Sequence, residues 1–271
     1  MKKEYGVFIK DADEAAFSCG YFSCVEYSKA ILDTPDALEI VERDVEKLKE
    51  YSRRYNVAVR SFHIPFGSSE YYRFEPASLD PAVREETLAL TKRLLELVIP
   101  TGIQYVVLHG SLRVLPEERQ QKLEAFVEYV QKLCDYCREY GISVAVETLK
   151  PRCIGNGLKE HLYIKEHANR ENLGICFDSN HLLEEDNLDF LRGAGQYVIT
   201  THFSDYDGID ERHWYPGRGI NDWKQIVQIL AEKGYDSPYV FETSFKEEEN
   251  PRCAESYGQL IREWEAIFST D

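Results

Sequence analysis

The sequence predicts an α/β fold, a single (β/α)8 or TIM barrel over residues 1–271, on three observations. Eight short apolar runs alternate with longer stretches of helical period, the pattern of parallel strands joined by helical crossovers. The 271 residues suit one such barrel, which commonly needs about 250. No glycine-rich phosphate loop follows the first run, which disfavours an open doubly wound sheet.

The elements follow in order. YGVFI (5–9) is the first strand; the weakly marked DEAAFS supplies the first helix, and CVEY (24–27) the second strand. Helical stretches over 37–54, 81–99 and 115–140 lead into VAVRSFHI (57–64), QYVVLHG (104–110) and SVAVETL (143–149). Helices at 158–169 and 186–194 flank LGICFD (173–178). YVITTHF (197–203), a helix at 221–234, PYVFETS (238–244) and a last helix near 251–268 complete the eight units. Pro116 at the start of the 115–140 stretch and Gly141 after it obey the Pro-in, Gly-out asymmetry of helix ends. Asn221-Asp222 offers a cap before WKQIVQIL.

Composition narrows the function classes. The formal charge of −16 repels a phosphate backbone, so nucleic acid is not an expected partner. No apolar stretch is long enough to span a bilayer, and MKKEYGVFIK lacks the apolar core of a secretory leader, so a cytoplasmic, membrane-free protein is expected. Seven cysteines, an odd number in a chain that needs no staples, read as free thiols. Cys134 and Cys137 form a CxxC inside a helical run with no second pair to complete a zinc site, and so read as packing thiols. His161 and His167 read as surface residues of a helix, and EEED and KEEEN as solvated charge.

Working residues of such barrels project from the carboxyl ends of the strands. There the sequence places His63, His109, Glu147, Asp178 with His181, His202 with Asp205, and Glu242, on strands three to eight, with His213 just downstream. Four of the seven histidines are in this set, where random placement would put about one. Acids and imidazoles gathered in a partly dry cavity stack like charges at a cost of several kcal/mol, and a divalent cation relieves it. Glu147, Asp178, His202 and Glu242, from four consecutive strands, can converge on one ion. Three carboxylates and one imidazole suit Mn²⁺, Mg²⁺ or Co²⁺, and also accommodate Zn²⁺.

With these residues in SFHIPFG, VVLHGS, VAVETLK, FDSNHLL, HFSDYDGIDERHWYPGRGINDW and GYDSPYVFETS, the chain resembles the xylose isomerase-like barrel superfamily of sugar and sugar-phosphate isomerases and epimerases. The resemblance covers nearly the whole chain. It implies that Glu147, Asp178, His202 and Glu242 hold one divalent metal, and that Glu147 and Glu242 also move protons. It further implies that His181 and a basic residue after the seventh strand, either Arg212 or Arg218, contact a small carbohydrate substrate. His63, His109 and His213 are further substrate-contact candidates. Gly217-Arg218-Gly219 departs from an acidic residue common at the middle position, which favours an anionic substrate group near Arg218. Phe66, Trp214 and Tyr215 are candidate apolar walls, and Lys150 a solvated loop lysine or an anion partner. A homo-oligomer is compatible with all of this.

Two other readings remain open at this level. The superfamily also contains apurinic-site endonucleases with a three-zinc cluster of nine ligands. His63, His109, Glu147, Asp178, His181, His202, His213 and Glu242 match that pattern, and Glu211 stands where Asp is usual. The acidic balance and the lack of a basic stripe oppose it. A non-catalytic sugar-binding barrel is the third reading, opposed by two retained proton-transfer glutamates.

Overall fold

The computed structural model describes residues 4–111, 113–244 and 252–269; KEEEN and the first residue of the 251–268 stretch lie outside them. Eight parallel strands run β1 Tyr5–Ile9, β2 Cys24–Ser28, β3 Ala58–His63, β4 Tyr105–Leu108, β5 Ser143–Glu147, β6 Leu173–Asp178, β7 Val198–His202 and β8 Tyr239–Phe241. The helices between and after them are α1 Glu14–Ser18, α2 Ala37–Tyr55, α3 Pro81–Val98, α4 Arg119–Arg138, α5 Gly157–Ala168, α6 Asn187–Ala194, α7 Trp223–Glu232 and α8 Ala254–Ser269. From β1 to β7 each strand pairs with its neighbours in sequence, and β8 pairs with β1. Beyond β7, Phe203 N donates to Val240 O at 2.8 Å and Glu242 N to Phe203 O at 3.2 Å, which closes the ring between β7 and β8. A (β/α)8 barrel is therefore the fold.

Caps mark the helix starts as their sequences require. Asp13, Asp80, Asp186 and Asp222 each accept a backbone N–H in the first turn of α1, α3, α6 and α7. The weakly marked first helix is present, five residues long. Pro116 opens a short 3-10 turn, Pro116–Glu118, and not α4 itself, which begins at Arg119.

Side chains alternate faces along each strand, so the barrel has two apolar regions. The larger one joins the outer strand face to the helices and includes Val25, Phe62, Val106, Val146, Ile175 and Phe177. Cys134 and Cys137 are buried in it, and burial pushes both thiols up to about 12. The smaller one lies inside the barrel, where Val107, Ala145 and Cys176 meet Ile199. Two residues further along those strands come His109, Glu147 and Asp178, so the inner apolar plug is the floor under a polar mouth. No helix among the described residues is long and apolar enough to cross a membrane.

Candidate metal centre

Local irregularities aim the strand ends. The β6–β7 register slips by one residue after Ile175, so that Cys176 pairs with Thr200 and Asp178 falls beside His202. A similar slip between β2 and β3 sets Glu26 beside Ser61. Bulges of this kind re-aim side chains next to active sites.

One oxygen or nitrogen atom from each of Glu147, Asp178, His202 and Glu242 falls within 4.8 Å of the others. His202 Nδ1 lies 2.9 Å from Glu242 Oε2, 3.4 Å from Glu147 Oε1 and 4.0 Å from Asp178 Oδ2. Glu147 is the hub: its Oε2 is 2.9 Å from both His63 Nε2 and His109 Nε2, and its Oε1 is 3.4 Å from His181 Nδ1. Glu147, Asp178 and His202 are buried, whereas the Glu242 side chain is 21% exposed. A cavity of about 180 Å³ opens above them, lined by His63, Phe66, His109, Glu147, Lys150, His181, Glu211, His213 and Glu242 among others.

The electrostatics follow from this crowding. Burial works against an ionised Glu147, but His109 and His202 outweigh it and hold the carboxyl well below its ordinary range. Burial likewise opposes ionisation of Glu242, and His202 brings it down to about 2. Asp178 is pushed up to about 6 by burial, with Glu147 and Glu242 adding to the rise. Burial disfavours charged His181 and His202, yet the surrounding carboxylates raise both well above the usual histidine value. Asp178 Oδ2 and His202 Nδ1 are buried and make no well-aligned hydrogen bond, although Nδ1 faces Glu242 Oε2 at 2.9 Å and Oδ2 faces His181 Nδ1 at 3.4 Å. Unsatisfied buried polar atoms are rare and costly. One divalent cation would use both, so the donor set fits the expected metal.

Two further groups adjoin the first. His181, Glu211 and His213 bring ligand atoms within 4.8 Å of one another, as do His63, Glu147 and His202. In the outer group Lys150 Nζ already sits 2.6 Å from Glu211 Oε2. His213 holds a left-handed backbone (φ 50°), stabilised by Asn180 Oδ1, which accepts from the backbone N–H of both Arg212 and His213. A bulky residue in that conformation is strained, and such strain clusters at functional sites.

The structure thus brings together His63, His109, Glu147, Asp178, His181, His202, His213 and Glu242. It does not bring Arg212 or Arg218 to the cavity. Arg212 Nε binds Asp207 Oδ2 at 2.7 Å, and Arg218 pairs with Glu263 of α8 while lying over the Tyr215 ring. Both arginines found carboxylates on the outer side of the loop, so an anionic substrate group near Arg218 has no support. The Gly-Arg-Gly turn serves packing. Gly217 N donates to Asp205 Oδ2, and a Cβ at Gly219 would stand 2.2 Å from Tyr206 O and 2.4 Å from Asp205 Oδ1. Asp205 itself is a buried loop anchor, accepting from Tyr206 N, Gly217 N, Asn221 N and Trp223 Nε1. Phe66 lines the cavity, whereas Tyr215 is buried with its hydroxyl on Ser256 O.

His161 is a second correction. Helical periodicity suggests a surface position, but the residue is buried, with Nε2 2.9 Å from Gly155 O in the loop after β5. Burial lowers its pKa to about 4. The unfolded chain, near the ordinary 6.5, therefore binds a proton that the folded one refuses. The stability held by neutral His161 is present above pH 6.5 and is lost as pH falls toward 4, up to roughly 3 kcal/mol. Urea unfolding at pH 7 and pH 4.5 should show a smaller loss for His161→Gln than for the unmodified chain, and equal losses would count against the assignment. His167 is exposed, as expected.

Sequence reasoning missed three contributors. Lys10, directly after β1, lines a second cavity of about 180 Å³ that shares His213 and Glu242. Asn180 shapes the loop carrying His213. Glu26, in the middle of β2, is fully buried, and its signal was an acid inside an apolar strand, in register with Cys24 and Ser28 on the same face.

Fold and site together define a (β/α)8 barrel whose mouth carries a candidate divalent-metal centre. By sequence, the chain belongs to the xylose isomerase-like TIM barrel family, whose model matches residues 14–263. Among curated relatives, an inosose isomerase of Bacillus velezensis is 27% identical over 219 residues, covering 74% of this chain and 76% of that protein. An uncharacterized protein of Sinorhizobium fredii is 29% identical over 167 residues; the match covers 59% of this chain and spans about half (53%) of that protein. Two solved structures share the fold at a TM-score of 0.77. They are a D-psicose 3-epimerase determined with D-fructose (16% identity, 98% and 97% coverage of this chain and that one) and the IolI protein with a zinc atom bound (19%, 98% of each).

Proposed function

We propose that this chain is a divalent-metal-dependent isomerase or epimerase of a sugar, a sugar phosphate or a related keto-polyol, with Glu147 and Glu242 as its acid and base. The observation that carries the reading is the convergence of Glu147, Asp178, His202 and Glu242 on one point, with both glutamates also lining the cavity. The inosose isomerase relative and the sugar epimerase fold support the substrate class. Cys19, Cys24, Cys134, Cys137, Cys176 and Cys253 are free thiols, in keeping with a cytoplasmic setting.

The four residues would hold the ion, with Mn²⁺, Mg²⁺, Co²⁺ and Zn²⁺ all suited to them. When bound, it supplies Lewis-acid polarisation of a substrate carbonyl and offsets the negative charge that develops next to it. The protein's part is proton transfer and orientation. Glu147 and Glu242 are ionised at neutral pH and project from strands three apart around the rim. A carbon between them can lose a proton to one and regain it from the other, which changes its configuration or moves the carbonyl. The imidazoles of His63, His109, His181 and His213 line the same space and can bond substrate hydroxyls.

A second reading, a three-zinc abasic-site phosphodiesterase, is favoured by the adjoining His181, Glu211, His213 group and by His63 and His109 on Glu147. The Lys150 cation on Glu211 and the charge of −16 weigh against it. The two readings separate in one experiment. The Mn²⁺- or Co²⁺-loaded chain in deuterated water should exchange the proton next to the carbonyl of a ketose, ketose phosphate or inosose, followed by NMR. Cleavage of an abasic duplex with three zinc ions bound and no such exchange would establish the second reading instead. Metal binding with neither activity would indicate a non-catalytic barrel.

A further inference from the structure

We propose that Glu26 is the positioning residue that sets His202 to bind the metal. The proposal rests on the metal-centre reading above but concerns a residue outside the four ligands. Glu26 lies on β2, three strands around the ring from β7, and both it and His202 are wholly buried. Glu26 Oε1 is 2.6 Å from His202 Nε2, and Ser61 Oγ donates to Glu26 Oε2 at 2.6 Å. The register slip between β2 and β3 is what brings Ser61 opposite Glu26.

A carboxylate in a barrel interior costs several kcal/mol unless its oxygens are partnered. Both are partnered here, and one partner is a proposed ligand. An imidazole that donates from Nε2 to a carboxylate keeps its proton there, so that Nδ1 is the nitrogen left to give its lone pair to a bound cation. That Nδ1 is the buried atom facing Glu147, Asp178 and Glu242, at 3.4, 4.0 and 2.9 Å from their carboxylate oxygens. Phe8 meets the His202 ring edge-on at 5.9 Å, and His63 stacks on it at 5.7 Å, so the ring cannot turn to exchange its nitrogens. Glu26 therefore selects the tautomer, and the aromatic neighbours hold the angle. Acids that buttress metal-bound histidines in this way commonly contribute 10- to 100-fold to metal affinity.

The test uses the full chain stripped by a chelator and titrated with Co²⁺, comparing the unmodified protein with Glu26→Ala and Glu26→Gln. Circular dichroism checks folding. In Glu26→Ala the Co²⁺ dissociation constant should rise roughly 10- to 100-fold and the visible Co²⁺ spectrum should shift. Glu26→Gln can still accept from Nε2 and should fall between the two, a partial rescue that a merely packing role does not predict. If Glu26→Ala does not fold, the isosteric Glu26→Gln carries the decision through its affinity, its spectrum and the NMR tautomer of His202. Folded variants that bind Co²⁺ within twofold of the unmodified protein with an unchanged spectrum overturn the role of Glu26 alone. An unmodified protein that binds no Co²⁺ overturns both this assignment and the metal reading beneath it.

Discussion

Glu147→Gln and Glu242→Gln should each lower turnover by roughly 10² to 10⁴ while leaving the barrel folded, because each removes one of two proton-transfer groups. The two variants are not equivalent. Glu242 sits at the edge of the cluster, partly exposed and close to His202 alone among the histidines that touch Glu147, so its amide replacement disturbs fewer neighbours while still taking one carboxylate from the proposed metal set. Glu147 is contacted by His63, His109, His181 and His202, and an amide there presents N–H groups to nitrogens that now face an anion. Both variants should therefore weaken metal binding, Glu147→Gln more than Glu242→Gln, and at saturating metal both should still show the fall in kcat. Solvent-deuterium exchange and turnover on the same substrate, with circular dichroism for folding, check both. Near-normal activity in both purified variants would end the two-base mechanism.

Dialysis against a chelator should abolish turnover, and Mn²⁺, Co²⁺ or Mg²⁺ should restore it. The expectation rests on three carboxylates packed against one imidazole, with Asp178 Oδ2 and His202 Nδ1 buried and making no well-aligned hydrogen bond. The same ion should stabilise the fold, since a ligand at a hundred times its dissociation constant adds about 2.7 kcal/mol. Thermal melts with and without metal measure this independently of activity. Recovery of full activity in metal-free buffer, with no change in melting temperature on adding metal, would remove the metal from the reading.

Much of this architecture was legible before folding was considered. YGVFI and LGICFD coincide with β1 and β6, because short β-branched and aromatic runs bounded by polar residues leave little choice of period. CVEY gains Ser28, and the remaining runs named strands that the structure trims at one or both ends. QYVVLHG shortens to Tyr105–Leu108, for example. The rim residues were legible for a related reason: a polar side chain at the end of an apolar strand has few places to go. Glu26 was not, because an acid inside a strand has no local partner; Ser61 and His202 lie 35 and 176 residues away. Arg212 and Arg218 were misplaced because charge is visible in a sequence but direction is not, and Asp207 and Glu263 claimed them. His161 was misplaced because helical spacing shows which residues share a face without showing what covers that face.

The sequence by itself determined the alternation of strands and helices, and with it a barrel whose acids and histidines end the strands, since hydrophobic period and strand polarity are local properties of the chain. Only the tertiary structure decided which of those groups meet. Distances of a few ångströms between residues far apart in sequence depend on register slips such as those after Val25 and Ile175 and on ring closure through Phe203. A shift of one residue would turn each of these side chains to the other face of the sheet.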